Sequence, residues 1–356
     1  QGLWNFFLPN AETGEGLSNL DYAYIAVELG KSPLASESLN CSAPDTGNME
    51  VLERVGTPEQ KEKWLKPLMN GEIRSAYVMT EPDVASSDAK NLQCLAVLDG
   101  DEWVITGQKV WTSGAHYSDI GEVICRTDPS LPKHKGLTGF LVDMNAPGVE
   151  IRPLRQMTGG ASFNEVFFNE VHVPDSYRLG DVNSGWGVAL TTLMNERAAI
   201  GTGSGGGEVS MMTRISAMVR HFELENDALV RDMVANLYIN YRVANFNNKR
   251  AMDKMKAGQT PGPEMSISKM ALVNNQQLLN DLISHVLGAK LQADTGEWGT
   301  YAWHQLVLGA PGMRIAGGSD EVMRNIVGER VLGLQKEPGI DSKSPFRELK
   351  VGTQKN

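Results

Sequence analysis

Apolar residues repeat at helical spacing near both ends of the chain and at every second position in its middle. In the first stretch, four apolar positions share one face of a predicted helix: Tyr22, Ile25, Ala26 and Leu29. A second helix is predicted to begin at Thr57, a residue type that caps helices, with Pro58 at the first helical position. The pattern predicts a helical region over residues 1–74.

The spacing changes to two at Ser75, which indicates β-strands. The alternating positions are Leu92, Cys94, Ala96 and Leu98, followed by Trp103 and Ile105. Asp99–Gly100, between these two runs, is a strong hairpin signal. Further strand-like runs lie at residues 139–142 and 165–168. We predict a compact antiparallel β-module, a β-barrel, over residues 75–183, with its last strand ending near Gly180.

Helical spacing returns after Trp186. One long helix, ending near Gly258, is predicted to carry a single apolar face formed by Leu229, Met233, Leu237 and Tyr241. Further helices are predicted from Ile267 and around Val322. Residues 184–356 therefore predict a helical bundle with a polar, loose tail after Pro338. The order helix, strand, helix indicates an α+β fold with three domains.

The charge balance narrows the classes of function. The 356 residues include 33 Lys and Arg against 43 Asp and Glu, a net charge of −10, so nucleic-acid binding is not expected. Apolar runs fall short of the roughly 18 residues that a membrane span needs, and no signal peptide is recognised. Three scattered cysteines, Cys41, Cys94 and Cys125, lack metal or disulfide spacing, which favours a reducing cytoplasm and no metal site.

Two short segments of the predicted β-module carry the candidate chemistry. In Tyr77–Asp88, an aromatic strand end leads into a turn rich in hydroxyl groups, which suits a polar ring or a phosphate. In Lys109–Ala115, a tryptophan beside two hydroxyl groups suits stacking on a planar cofactor. Each segment taken alone is more typical of an ordinary turn or a core tryptophan.

Taken together and at this separation, the two segments closely resemble the acyl-CoA dehydrogenase family. The resemblance extends from Gly2 to about Leu334 and includes Gly56–Leu65, the loop at Trp186 and Ile315–Ile326. It implies an N-terminal helical domain, truncated here, a central β-barrel and a C-terminal four-helix bundle, in a homo-oligomer that is a dimer or a tetramer. It also implies FAD as cofactor, an acyl-CoA substrate of fatty-acid β-oxidation, and an electron-transfer flavoprotein as partner.

The resemblance further implies which residues contact the ligands. The cofactor contacts carried over to this sequence are Tyr77, Met79, Thr80, Ser86, Ser87, Trp111, Thr112, Ser113, Arg220, Ser319 and Glu321. The substrate contacts are Ser87, Arg197 and Gly317. In this assignment Trp111 flanks the isoalloxazine ring, Ser113 bonds near its reactive nitrogen, and Gly317 leaves room for the thioester.

The implied reaction is α,β-desaturation of a thioester, which needs a carboxylate base in an apolar, water-poor pocket. Many family members carry this glutamate in the late loop, where the present chain has Gly317. Another branch carries it in a Glu-Arg pair on a helix of the C-terminal domain, and Glu196 with Arg197 matches that arrangement. We therefore expect Glu196 to be the base, against the plainer alternative of a surface helix with an ordinary Glu and Arg.

Several departures from the family pattern concern the cofactor site. The motif Arg-x-x-Phe-Gly, which reaches the flavin pyrophosphate of a neighbouring subunit, is reduced to Arg220 and Phe222. A usual glutamine is replaced by His285. The run Gly201–Gly207 follows a helix and lacks the Lys-Ser/Thr of a phosphate loop, so we expect a helix break there.

Three alternatives stay open at this point. An acyl-CoA oxidase would share these residues and pass its electrons to O₂. A flavin-free structural subunit of a heteromeric acyl-CoA dehydrogenase is favoured by the reduced arginine motif. A DNA-binding relative of the same fold is disfavoured by the net charge of −10.

Overall fold

A computed structural model describes residues 4–32, 34–202, 207–259, 262–292, 296–297, 299–336, 341 and 343–349. The chain divides into two compact units. The first consists of Gln1–Glu15, Leu39–Glu196 and Glu337–Asn356, and the second of Gly16–Ser38 and Arg197–Lys336.

The helices follow the predicted order along the chain. They are α1 (Asn19–Leu29), α2 (Ala35–Ser38), α3 (Asp45–Val55), α4 (Pro58–Gln60), α5 (Lys66–Asn70), α6 (Gly185–Thr202), α7 (Gly207–His221), α8 (Ala228–Lys256), α9 (Ser266–Leu287), α10 (Thr300–Met313) and α11 (Asp320–Ile326). Among the described residues, no helix has the length and apolar character that crossing a membrane requires.

The predicted start of the second N-terminal helix is confirmed at Thr57. Its side chain accepts a hydrogen bond from the backbone N–H of Gln60 at 3.2 Å, and the Gln60 side chain accepts one from the Thr57 N–H at 3.1 Å. This reciprocal pair is a capping box, with Pro58 at the first helical position. The predicted break at Gly201–Gly207 lies largely outside the described residues, since α6 is described to Thr202 and α7 from Gly207.

The strands of the first unit form one eight-stranded sheet. They are β1 (Ser75–Val78), β2 (Leu95–Asp99), β3 (Glu102–Ser113), β4 (Ile120–Arg126), β5 (Leu137–Asp143), β6 (Val149–Leu154), β7 (Phe163–Pro174) and β8 (Arg178–Leu179). The order is β6-β7-β3-β2-β4-β5-β8, with β1 paired to β4.

The prediction of an antiparallel module was wrong for two strand pairs, since β1 and β2 both run parallel to β4. β1 runs parallel to β4, with Tyr77 opposite Glu122, because the whole β2–β3 hairpin intervenes and returns the chain in the same direction. The hairpin itself is confirmed, with Asp99 paired to Glu102 and Gly100 at a φ of +65°. A positive φ at the turn is the conformation that favours glycine.

The alternation of apolar and polar residues in the sequence correctly predicted buried residues in and beside the β2–β3 hairpin. Cys94, Ala96, Trp103 and Ile105 are buried. Leu98, however, is 53% exposed, although its cross-strand partner Trp103 is buried.

In the second unit, α8 and α9 supply most of the apolar core. Leu237 of α8 and Leu279 and Leu282 of α9 are fully buried. The predicted face of α8 was shifted by one residue at its start, because Leu229 is 54% exposed and Val230 is buried instead. Val230 and Leu237 are seven residues apart, which keeps them on one stripe of the helix.

The prediction of a loose tail was wrong for residues 343–349. The Phe346 N–H donates to the Leu131 carbonyl and the Arg347 N–H to the Pro129 carbonyl, both at 2.9 Å. A β-bridge also joins Pro345 to Pro132. This segment is held by the first unit because its backbone groups find partners there, which a polar composition does not reveal.

Candidate active site

The two predicted segments of the β-domain lie side by side. The Val110 N–H donates to the Thr80 carbonyl at 2.8 Å, although the residues are 30 positions apart. Thr80 follows strand β1, while Val110 lies within β3. The structure therefore brings the segment that follows β1 and the tryptophan-bearing part of β3 together.

A buried ion pair fastens this junction. The Lys109 ammonium donates to Glu81 Oε1 at 2.8 Å, to the Met79 carbonyl at 3.0 Å and to the Ile124 carbonyl at 2.6 Å. Lys109 is 0% exposed and Glu81 5%. Burial opposes the charged ammonium, but the Glu81 carboxylate raises the pKa of Lys109 above its usual value.

The Glu81 carboxylate also accepts two hydrogen bonds from backbone N–H groups. Its Oε2 accepts from the Gln93 N–H at 2.6 Å, and its Oε1 accepts from the Cys94 N–H at 2.9 Å. Buried charges persist only when they are paired and hydrogen-bonded in this way. The pair thus fixes the backbone around Thr80 relative to β3.

Trp111 presents its ring on the surface from a strained backbone. Its φ is +61° and its side chain is 58% exposed, in an irregular stretch of the β3–β7 ladder between Lys109 and Thr112. The ring meets Phe163 edge to face, with centroids 6.0 Å apart. A positive φ costs a tryptophan on the order of 1–3 kcal/mol and is typical of functional positions.

Thr112 and Ser113 follow with opposite orientations. Thr112 is 1% exposed, and its Oγ1 has no hydrogen-bond partner within the part of the chain that the structure describes. Ser113 is exposed. A buried hydroxyl without a partner costs about 1–3 kcal/mol, so a polar ligand atom at this position would offset a real penalty.

The remaining predicted cofactor residues of the first unit lie in or just after strand β1. Tyr77 is half-buried and its hydroxyl donates to Met79 Sδ at 2.9 Å. Met79 is buried against Ala189 and Leu193 of α6. Ser86 and Ser87 are exposed at the start of a 3₁₀ turn, Ser86–Asn91.

A second buried carboxyl group, Glu122, was not recognised from the sequence. It lies on β4 opposite Tyr77 and accepts from the Thr192 hydroxyl of α6 at 3.2 Å. Burial raises the pKa of Glu122 to about 8, even though the Thr192 hydrogen bond opposes the shift. The sequence feature that could have identified Glu122 is its position as the one acidic residue inside the otherwise apolar strand segment Ile120–Cys125.

The predicted cofactor contacts in the second unit lie on two different helices, α7 and α11, and at the residue that caps α11. Arg220 is exposed at the end of α7 and lines a cleft of about 360 Å³ with Arg231 and Tyr238 of α8. Ser319 caps α11, where its hydroxyl accepts from the Val322 N–H at 3.3 Å. Glu321 is exposed in the first turn of that helix.

Gly317 has a φ of +67°, in the turn that leads into α11. This backbone conformation disfavours a glutamate at the position. The side chains of Glu196 and Arg197 lie outside the described residues, although the backbone of α6 is described through both positions.

These features fit a planar, polar cofactor at the β-domain. They combine an exposed indole ring, an unpartnered buried hydroxyl and a turn of exposed serine hydroxyls. Aromatic rings stack on planar groups, and hydroxyls hydrogen-bond their edges or their phosphates. Among the described residues, no group of three or more His, Cys, Asp or Glu could hold a metal ion.

Comparison with protein families gives three matches. They are the acyl-CoA dehydrogenase N-terminal domain over residues 1–72, the middle domain over residues 76–171 and the C-terminal domain over residues 183–332. The solved structure of the Tcur3481-Tcur3483 steroid ACAD has a TM-score of 0.82 and 27% identity to this chain. That match covers 93% of this chain and 86% of the other.

The curated proteins that resemble this chain are also acyl-CoA dehydrogenases. Acyl-CoA dehydrogenase FadE34 from Mycobacterium tuberculosis is 38% identical over 80% of this chain, and human acyl-CoA dehydrogenase family member 11 is 50% identical over 49% of it. The chain spans only 38% and 23% of the lengths of these two proteins. Acyl-CoA dehydrogenase IpdE1 from M. tuberculosis is 35% identical over 81% of this chain and 74% of its own length. The chain belongs to the acyl-CoA dehydrogenase family.

Proposed function

We propose that the protein catalyses the FAD-dependent α,β-dehydrogenation of an acyl-CoA thioester to the trans-2-enoyl-CoA. The observation that carries the proposal is the junction of the Thr80 and Trp111 segments, held by the Lys109–Glu81 pair. Membership in the acyl-CoA dehydrogenase family supports the same activity. FAD, when bound, supplies the two-electron acceptor.

The chain's own residues bind and orient the ligands in this proposal. Trp111 flanks the flavin ring, Thr112 and Ser113 hydrogen-bond its edge, and the hydroxyls of Ser86 and Ser87 bind phosphate groups. The unpartnered Thr112 hydroxyl supports this role, because a ligand acceptor would satisfy it. The other proposed cofactor contacts are Tyr77, Met79, Thr80, Arg220, Ser319 and Glu321.

Glu196 is the proposed catalytic base, which removes the α-proton of the thioester. Arg197 is proposed to contact the CoA nucleotide. At Gly317, the missing side chain leaves room for the substrate, and its backbone N–H is proposed to bind the thioester oxygen. Such a donor stabilises the negative charge that develops on that oxygen.

The electrons are proposed to pass to an electron-transfer flavoprotein, within fatty-acid β-oxidation, and the protein to act as a homo-oligomer, either a dimer or a tetramer. A fold relative at 27% identity is a steroid ACAD. A substrate panel should therefore contain ring-bearing as well as linear acyl-CoAs.

The test is anaerobic mixing of the purified protein with this panel while flavin absorbance is followed. Bleaching by wild type, its loss in Glu196→Gln and its retention in the exposed control Glu223→Gln are the expected results. Equal bleaching in wild type and Glu196→Gln would move the base to another residue. A purified protein without flavin absorbance would overturn the proposal in favour of the structural subunit.

Oxygen uptake separates the dehydrogenase from the oxidase. The dehydrogenase should reduce an added electron-transfer flavoprotein and consume little O₂ in the presence of substrate. Rapid O₂ consumption with no transfer to the flavoprotein would establish the oxidase instead.

A further inference from the structure

The C-terminal segment lies beyond the last family match, which ends at residue 332, yet part of it packs on the β-domain. We name Asp341 and residues 343–349 the C-terminal clasp. Its backbone binds the loop between β4 and β5, through Phe346 to Leu131 and Arg347 to Pro129. The clasp and this loop both belong to the first unit.

Lys133 connects the clasp to the Ser86–Asn91 turn. Its ammonium contacts Asp341 Oδ2 at 2.5 Å and Asp88 Oδ2 at 2.8 Å. Lys133 is only 6% exposed. Burial opposes its charge, but the hydrogen bonds that Lys133 donates to Asp341 and Asp88 raise the pKa of Lys133, so one ammonium bridges two carboxylates.

Arg126 makes a second connection. It is fully buried, and its guanidinium donates to the carbonyls of Lys90 at 2.7 Å, Leu92 at 3.2 Å and Lys133 at 2.8 Å. The ring of Phe346 covers the guanidinium, with 3.9 Å from Cζ to the ring centroid. The clasp thus shields from water the group that holds the end of the turn.

Lys90 lies within the turn, and Lys133 contacts the turn through Asp88. Burial, and then the charges of Lys90, Lys135 and Lys133, lower the pKa of the nearby His134. The exposed hydroxyls of Ser86 and Ser87 occupy the start of the same turn. Hydroxyl groups beside lysines suit the phosphate of an anionic ligand.

We propose that the C-terminal clasp is a positioning element of the ligand site: it holds the Ser86–Asn91 turn in the conformation that binds a phosphate group. The phosphate belongs to FAD or to coenzyme A, so this inference rests on the proposed function. Because the clasp acts through Lys133 and Arg126, it need not touch the ligand.

The first arm of the test uses hydrogen exchange, which needs no bound ligand. Asp341→Asn removes one carboxylate from Lys133, and Phe346→Ala uncovers Arg126. Each should speed exchange of the amides of residues 86–91 by about tenfold, while β6 and β7 stay unchanged. Asp341→Asn loses one charge-assisted hydrogen bond, and Phe346→Ala loses one cation–π contact. Glu348→Gln, an exposed carboxylate of the same segment, is the matched control and should leave exchange unchanged.

The second arm measures the Kd of FAD and, separately, of coenzyme A for wild type and the same variants. The Kd of the ligand whose phosphate uses the turn should rise about three- to tenfold, and the other Kd should stay constant. Unchanged exchange at residues 86–91, or faster exchange with both Kd values unchanged, would overturn the inference. If the wild type binds neither ligand, the proposed function fails, while the exchange arm still decides whether the clasp orders the turn.

Discussion

Lys109 and Glu81 form a 2.8 Å ion pair buried in the β-domain, between the two segments that carry most of the proposed cofactor contacts. Each partner also binds backbone groups: Lys109 two carbonyls, and Glu81 two N–H groups. The pair therefore fixes local geometry at the cost of desolvating two charges.

Lys109→Met should destabilise the protein by about 3–5 kcal/mol, because it leaves the Glu81 carboxylate buried without a counter-charge. The double variant Lys109→Met/Glu81→Gln should recover part of the loss, since the remaining amide is neutral. Urea unfolding measures both. Lys66→Met, which breaks the exposed 2.7 Å pair with Glu62, is the control and should have little effect. Equal losses in the two lysine variants would contradict the assigned role.

Glu122→Gln should change how stability depends on pH. The unfolded carboxyl group titrates near 4.5, whereas burial keeps the folded group protonated to about 8. Between these values the unfolded state loses the proton first, so the wild type loses stability as pH rises and the loss is complete above the folded pKa. The neighbours that face Glu122 are Tyr77 on β1 and Thr192 on α6.

The variant Glu122→Gln should therefore gain stability relative to wild type between about pH 5 and about pH 9, on the order of 3–5 kcal/mol. Urea unfolding across this range gives the difference. The exposed Glu170→Gln is the control and should follow the wild-type curve. A pH-independent difference between Glu122→Gln and wild type would show that the carboxyl group is not held protonated.

Two substitutions at Trp111 distinguish the effect of backbone strain on stability from the effect of the ring on ligand binding. Both Trp111→Ala and Trp111→Gly remove the exposed ring, so both should weaken FAD binding by a similar factor. Only glycine relieves the positive φ of +61°, so the Gly variant should be about 1 kcal/mol more stable than the Ala variant. Thermal unfolding of the flavin-free protein and FAD titration measure the two effects. An Ala variant as stable as the Gly variant would mean that the backbone relaxes on substitution.

Thr112→Val tests the unpartnered hydroxyl. Valine has the same shape without the polar atom, so the flavin-free protein should gain about 1 kcal/mol or more in unfolding free energy. FAD affinity should fall, because the proposed partner of the cofactor is lost. Thr106→Val on the exposed side of β3 is the matched control. A variant that is less stable than wild type would indicate that the hydroxyl is already satisfied, for example by water.

The local elements followed from short-range rules that act within a few residues. The helix cap at Thr57, the hairpin at Gly100 and the apolar faces of β3 and α8 were predicted because each depends on neighbours in sequence. At Leu98 and Leu229 the local pattern did not decide which of two adjacent positions is covered: each is exposed, although Trp103 across the hairpin and Val230 along the helix are buried.

The sequence by itself determined the order of helices and strands, the acyl-CoA dehydrogenase family and the two segments that supply the proposed cofactor site. Only the tertiary structure decided that Lys109 and Glu81 pair, that Glu122 is buried beside Thr192, and that the C-terminal clasp reaches Lys133 and Arg126. The physical reason is separation along the chain. These contacts join residues 28, 70, 208 and 220 positions apart, so nothing in the local pattern of either partner specifies the other.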